Sequence, residues 1–389
     1  MKLSRTVWAL GFVSLFMDIS SEMIHSLLPI FLVTQLGVSA LVLGTIEGVA
    51  ESIALFMKAF SGAMSDWMRK RKLLIVIGYL LAALTKPFFA FSHQLSWIMV
   101  ARFTDRMGKG IRGAPRDALI ADVTEASQRG AAFGLRQSLD TWGAVIGPLI
   151  AMIGMFIFAD NFQAVFMVAI VPAFISVFIL MVFVKEPKVV HENTTVVWPL
   201  KLSILKDLPK AFWWVFILAF VFTLARFSEA FLILRAQTLG LELALTPLVL
   251  ILLSVVFALS AYPFGKLSDT FGRFGLLALS LILLIIANAI LATATHYMAV
   301  LIGVLFWGLH LGASQGILSA LIADTAPLQL RATAFGLFSL SGGFATLMAS
   351  ILAGLLWTFI GANVTFIVGG LLALLTLIIM FFYKRSSSF

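Results

Sequence analysis

The chain has 389 residues, of which 61% are apolar and only 12% charged, and its mean hydropathy is +1.07. About a quarter of the residues of an ordinary soluble domain are charged, so a water-soluble globular protein is excluded; the apolar runs are also too long and continuous for a membrane β-barrel, whose strands alternate. The net charge is +9 and cysteine is absent, which excludes disulfides, thiolate metal sites and cysteine chemistry.

A membrane-spanning helix needs about 20 mostly apolar residues. Such runs fall at 7–35, 40–66, 73–92, 95–121, 130–158, 161–184, 211–236, 245–268, 274–295, 298–323, 332–358 and 362–383. The expected fold is an all-α polytopic membrane protein with twelve transmembrane helices in two pseudo-symmetric six-helix halves. The N-terminus has a basic start and an apolar run but no small-residue cleavage pattern, so it reads as the first span and not as a removed signal peptide.

Span 1 carries Asp18 and Glu22, four residues apart, with His25 three further on. Span 2 has Glu47, Glu51 and Lys58 on one face, followed by Arg69, Lys70, Arg71 and Lys72. Span 4 holds Arg102, Arg106, Lys109, Arg112 and Arg116 within fifteen residues. In span 5 Arg136 and Asp140 share a face, followed by Gly143, Gly147 and Pro148. Residues 185–210 form the one long polar connection, where Pro187, Pro199 and Pro209 discourage a continuous helix. They divide an N-terminal half (1–184) from a C-terminal half (211–389). Span 7 places Arg226 and Glu229 on one face, with Arg235 an awkward cation near its outer end. In span 10, Gly308, Gly312 and Gly316 read as a ridge of small residues for close helix packing, with His310 beside them.

Lysine and arginine collect in the segment after span 2, in the 185–210 connection and at the C-terminus, whereas the alternate loops QLGVSALV and FSHQLSW have none. Cytoplasmic loops carry this excess, so both termini are expected in the cytoplasm of a multi-pass cell-membrane protein. The same bias accounts for the positive charge without nucleic acid.

The halves resemble each other. ALIADVTEASQRGAAFGL (118–135) aligns with ALIADTAPLQLRATAFGL (320–337) at an offset of 202, with ten identities in eighteen positions, and GAMSDWMRKR (62–71) matches GKLSDTFGRF (265–274) at 203. Internal duplication of this kind belongs to transporter folds, with the substrate site near mid-membrane. The counterpart of the basic segment 101–122 is the apolar 303–324, so the basic segment is expected to span too. Five cations facing lipid would cost on the order of 12–17 kcal/mol at roughly 2.5–3.5 kcal/mol each. At the helical repeat they fall within a sector of about 120°, together with Asp105. The stripe therefore lines an aqueous cavity or pairs with carboxylates on other helices.

The pattern Gly265-x-x-x-Asp269-x-x-Gly272-Arg273, with Gly62, Asp66 and then Arg69, Lys70 and Arg71 in the first half, resembles the loop signature of the major facilitator superfamily. Arg102 also falls where that superfamily often has an arginine in span 4. Gly134-x8-Gly143-x3-Gly147-Pro148 is similar to the span 5 motif of its drug/proton antiporters, with Ala151 and Met152 where two glycines usually close it. The resemblance covers the whole chain. It implies two halves rocking about a central cavity, with Asp66, Arg69, Lys70, Asp269 and Arg273 making cytoplasmic contacts between them that break during alternating access. Asp122 with Arg129, and Asp324 with Arg331, recur at matched positions and are expected to join that gate.

Arg102, Arg106, Lys109, Arg136 and Arg226 are the candidate substrate-binding residues, because arginine matches the geometry of carboxylate and phosphate groups. Asp18, Glu22, Glu47, Glu51, Asp140 and Glu229 are the candidate proton carriers, since burial disfavours the charged form of a carboxylate. The alternative for both sets is a permanent ion-pair lattice tying spans 1, 2, 4 and 5 together. GASQG (312–316) fits the spacing of a serine hydrolase elbow, but that elbow follows a strand and this segment is an apolar helix. Neither a Walker A sequence nor HExxH is present.

The function this supports is secondary active transport, as proton-coupled antiport exporting a small organic compound. The rivals are proton-linked uptake of an anionic metabolite or metal chelate, and a non-transporting receptor or scaffold. The expected partners are a small-molecule substrate, for which the basic stripe would suit an anion, protons and the lipid bilayer. A monomer without cofactor or resident metal is expected, and no enzymatic activity.

Overall fold

The computed structural model describes residues 3–68, 70–125, 128–186, 208–327 and 330–386. Among the described residues there are thirteen α-helices, one short 3-10 turn at Leu243–Leu245 and no strand. The first six are α1 (Arg5–Thr34), α2 (Ala40–Met68), α3 (Arg71–Phe91), α4 (Leu95–Asp122), α5 (Arg129–Ile157) and α6 (Phe162–Phe183). The others are α7 (Lys210–Leu224), α8 (Ala230–Thr238), α9 (Leu248–Thr293), α10 (Tyr297–Ser314), α11 (Ile317–Thr325), α12 (Arg331–Phe359) and α13 (Ala362–Ser386). Side chains start several of them: Ser4 accepts from Val7 N, and Asn161 accepts from Ala164 N at 3.1 Å.

Among the described residues, ten segments are long and apolar enough to cross a membrane. α4 fails that test only through its charges, and its 28 residues reach about 42 Å at 1.5 Å per residue, ample for a bilayer. α7 and α8 together make the remaining crossing, which completes twelve. α9 runs through two crossings, divided at Gly272, whose φ of 69° breaks the helix.

Two expectations need correction. Arg226 and Glu229 do not lie on the face of one continuous helix, because span 7 is interrupted between Leu224 and Ala230. The apolar run hides the break, but the charges explain it. Arg226 follows the C-terminal end of α7, Glu229 caps the start of α8, and each complements the dipole of its half-helix. Likewise Gly316 is not on a packing ridge. Gly308 and Gly312 do face α9, at Val256 and Ser260, but Gly316 sits between α10 and α11 with φ 71° and open space around it. Its counterpart at the 202 offset, Ala114, lies inside unbroken α4. Alanine at 316 would have to hold a left-handed conformation, so Gly316→Ala is expected to destabilise by about 1–2 kcal/mol, read as a lower melting temperature of the purified protein.

The chain divides into two compact units. The first takes in the described residues of Met1–Leu36, Ile53–Trp198 and Leu243–Leu248; the second takes in those of Gly37–Ser52, Pro199–Glu242 and Val249–Phe389. The core of the first is built from Leu10, Val13 and Met17 of α1, Ile75 and Tyr79 of α3, Leu119 of α4 and Ala173 of α6. Lipid removes most of the hydrophobic drive for helix association, so packing and interhelical hydrogen bonds hold such bundles. Ser20 donates to Ala169 O and Ser176 to Val13 O, both at 2.6 Å, and so tie α1 to α6.

The second unit is centred on an aromatic cluster in which Phe227 packs against Phe231, Trp307 and Phe366. Arg235, the awkward cation, is buried and caps the end of α9. It donates to Leu291 O at 3.3 Å, Ala294 O at 3.0 Å and Asn363 Oδ1 at 2.6 Å.

Candidate functional site

The first unit holds a charged core on α1, α3, α4 and α5. Two close helix crossings assemble it. On α5, a methyl group at residue 143 would lie 2.8 Å from Asp18 Cβ, and one at 147 would lie 2.9 Å from Glu22 Cβ. The four-residue spacing of the two glycines thus matches that of the two carboxylates, and α1 sets both acids directly on α5. Pro148 is buried in the same helix.

The second crossing is α3 on α4, where Gly78 meets the backbone of Gly108. It brings α3 side chains onto the basic stripe. The Arg112 guanidinium lies over the Tyr79 ring at 4.5 Å. Arg116 Nη1 donates to Ser14 Oγ at 2.5 Å and to Tyr79 Oη at 3.5 Å. Lys86 Nζ donates to Asp105 Oδ1 at 2.8 Å and to Ser21 Oγ at 3.1 Å.

Toward α5 the charges alternate. Arg136 Nη1 contacts Asp140 Oδ2 at 2.9 Å and Asp117 Oδ1 at 3.7 Å, while Arg116 reaches Asp117 at 3.3 Å and Asp140 at 4.0 Å. Glu22 Oε2 lies 3.2 Å from His25 Nδ1. Lys109 is exposed and within electrostatic reach of both Asp18 and Glu22, whereas Arg102 and Arg106 are deeply buried.

The structure therefore brings Asp18, Glu22, Lys109, Arg136 and Asp140 into one region with the stripe. Glu47, fully buried, and Glu51 lie on the part of α2 that belongs to the second unit. Arg226 and Glu229 lie at the break in span 7, with the Arg226 guanidinium 5.6 Å from the Phe222 ring. His310 Nδ1 is 2.8 Å from Ser280 O, and its ring lies 5.5 Å from that of Phe222. The described residues contain no group of three or more potential metal ligands.

Tyr79, Lys86 and Asp117 are site residues that sequence reasoning passed over. For Lys86 the signal was available: a lysine in the middle of an apolar run is a functional candidate by default. Tyr79 and Asp117 carry no such mark, since the crossing that recruits them appears only in three dimensions.

The residues expected to form a gate fall at matched places within each unit. Arg273 pairs with Asp324 and also donates to Ala320 O at 3.0 Å. Arg71, 202 residues earlier, pairs with Asp122 at 2.6 Å. Asp122 is thus engaged by Arg71, while Arg129 is exposed at the start of α5. Gly62 comes within 3.4 Å of Ala114 if a methyl is added, Gly265 has open space, and Lys70 is exposed. Arg69, and the side chains of Asp66, Asp269 and Arg331, lie outside the described residues.

The two ion pairs differ in burial, at 17% and 23% exposed for Arg71–Asp122 against 43% and 54% for Arg273–Asp324. An exposed pair contributes about 0.2–1 kcal/mol at most. Arg71→Ala is therefore expected to lower the melting temperature more than Arg273→Ala does, with the difference surviving in high salt.

Twelve membrane-spanning helices, a duplicated half and a charged core inside the bilayer define a membrane transporter. The chain belongs to the Major Facilitator Superfamily, whose sequence profile matches residues 10–350 and 215–388. It is 33% identical to an uncharacterised MFS-type transporter of Methanocaldococcus jannaschii, over 98% of this chain and 95% of that protein. A shorter match, over 36% of this chain and 34% of the relative, is 34% identical to the multidrug resistance protein MdtH of Photorhabdus laumondii. A crystal structure of a POT family transporter in complex with 5-aminolevulinic acid shares the fold, with a TM-score of 0.81 at 14% identity and coverage of 98% and 96% of the two chains.

Proposed function

We propose that the protein is a proton-coupled antiporter that exports a small organic compound bearing an anionic group. The observation that carries this reading is the seating of Asp18 and Glu22 of α1 on the glycines of α5, facing Lys109 and the arginines of α4 within the membrane. Burial beside the Asp140 carboxylate suits Asp18 for taking up and releasing a proton, and guanidiniums suit a carboxylate or phosphate on the solute. Asp140 shares the coupling region, with Glu47, Glu51 and Glu229 as further candidates; Arg102, Arg106, Lys109, Arg136 and Arg226 are the candidate solute contacts. The similarity to MdtH supports export.

In this reading residues 1–184 and 211–389 are the moving halves, joined by 185–210 in the cytoplasm with both termini, in the cell membrane. The charges around Arg71–Asp122 and Arg273–Asp324, with Asp66, Arg69, Lys70 and Asp269, form the cytoplasmic gate. A second reading, proton-linked uptake of an anionic metabolite or metal chelate, is favoured by the density of cations on α4.

Reconstituted vesicles with an imposed pH gradient separate the two. Antiport concentrates the solute on the acidic side as protons leave it; symport concentrates it on the alkaline side. Solute distributing independently of the gradient would remove proton coupling altogether.

A further inference from the structure

Lys86 and Asp105 form an ion pair with side chains only 1% and 6% exposed, inside a membrane-spanning helix pair. Burying two charges carries a desolvation cost that a neutral pair would not. The fold does not require it. At the 202 offset the second half places Asn288 and Trp307 at the matched positions, both buried, and still forms the corresponding helices.

What distinguishes the first half is the basic stripe. Asp105 shares its face with Arg102, Arg106 and Arg112 and lies within electrostatic reach of Arg106 and Arg112. Lys86 approaches from α3 instead, with its ammonium shared between Asp105 Oδ1 and Ser21 Oγ of α1. The first bond holds one Asp105 oxygen on the α3 ammonium, and the second anchors that ammonium to α1. Without the ammonium, the cations nearest that carboxylate are the guanidiniums of its own helix.

We propose that Lys86 is a positioning residue of the transport site: by holding Asp105 toward α3, it keeps this carboxylate from competing with a ligand's carboxylate or phosphate for Arg106 and Arg112. The proposal rests on the reading that the stripe receives an anionic group.

The test measures binding of citrate and of inorganic phosphate to the whole purified chain. It is done at constant ionic strength in detergent free of phospholipid, so that a soluble anion and not a lipid headgroup is read. The wild type is expected to bind at least one of them. Lys86→Met weakens that binding and Asp105→Asn tightens it, each by about tenfold, since one releases the competing charge and the other removes it. Lys86→Arg retains wild-type affinity.

A merely structural pair predicts that both single variants weaken together, along with the melting temperature, or that neither moves. Either result overturns the inference while leaving the stripe as a binding wall. If Lys86→Met does not fold, the neutral double variant K86N/D105N decides. Affinity equal to or tighter than wild type supports the proposal, and a tenfold loss overturns it. A wild type that binds neither anion removes the reading of the stripe, and the inference with it.

Discussion

Replacing Asp18 with asparagine is expected to reduce proton-coupled solute flux to background while the protein still folds. Asp18 is half-buried on α1, with its Cβ lodged where Gly143 leaves room on α5. Around it lie Asp140, Lys109, Arg112 and Arg116, all within electrostatic reach. Asparagine keeps the shape and the packing but cannot gain or lose a proton in this range. The fold therefore loses little and the coupling everything. The measurement is proton movement reported by a pH dye inside vesicles, with the melting temperature alongside. Coupled flux at the wild-type rate in Asp18→Asn would move the coupling role to Glu22 or Asp140.

The second large effect is expected at Gly147. A methyl carbon there would lie 2.7 Å from Ile19 O, 2.9 Å from Glu22 Cβ and 3.2 Å from Met23 N. Two of these three atoms belong to the α1 backbone and cannot swing aside. Overpacking of this kind costs about 1–3 kcal/mol, and here it also displaces the helix that carries Asp18 and Glu22, two of the candidate proton carriers. Gly147→Val is expected to melt at a lower temperature and to lose transport out of proportion to that loss. Gly134→Ala on the same helix is the control, because nothing lies within 4 Å of the added carbon. It is expected to be neutral or stabilising by about 0.4–1 kcal/mol, since alanine lowers the entropy of the unfolded chain. Equal behaviour of the two variants would mean that α5 does not seat α1 through its glycines.

The twelve crossings and the duplicated halves could be read from the sequence because lipid imposes a simple rule: about 20 apolar residues per helix, with cations left in the cytoplasm. α4 shows where hydropathy alone stops. Its charges keep it out of the ten clearly apolar spans, and the match between 101–122 and 303–324 is what supports its crossing despite them. The breaks at Arg226–Glu229 and Gly316 were not legible, since a charged pair inside an apolar run fits one helix face as well as two helix ends. A glycine read as a packing residue can equally be a left-handed hinge. The pairing of Arg71 with Asp122 follows from the 202 offset once Arg273–Asp324 is known, yet the motif itself drew attention to Arg69 and Lys70. The partners within the charged core, Tyr79 on Arg112 and Lys86 on Asp105, depend on the glycine crossing of α3 and α4, which joins residues far apart in the chain on antiparallel helices.

Thiol labelling at Lys109 tests the heart of the account most directly, and the chain has no cysteine of its own to interfere. Lys109 is exposed on the stripe beside Asp18 and Glu22, while Val100, 54% exposed on the opposite side of α4, is expected to face lipid. In vesicles, Lys109→Cys is expected to react quickly with a hydrophilic maleimide that has access to both membrane faces, and Val100→Cys to stay unmodified. A Lys109→Cys that resists the reagent as Val100→Cys does would place the stripe against acyl chains or dry protein and contradict the aqueous transport site.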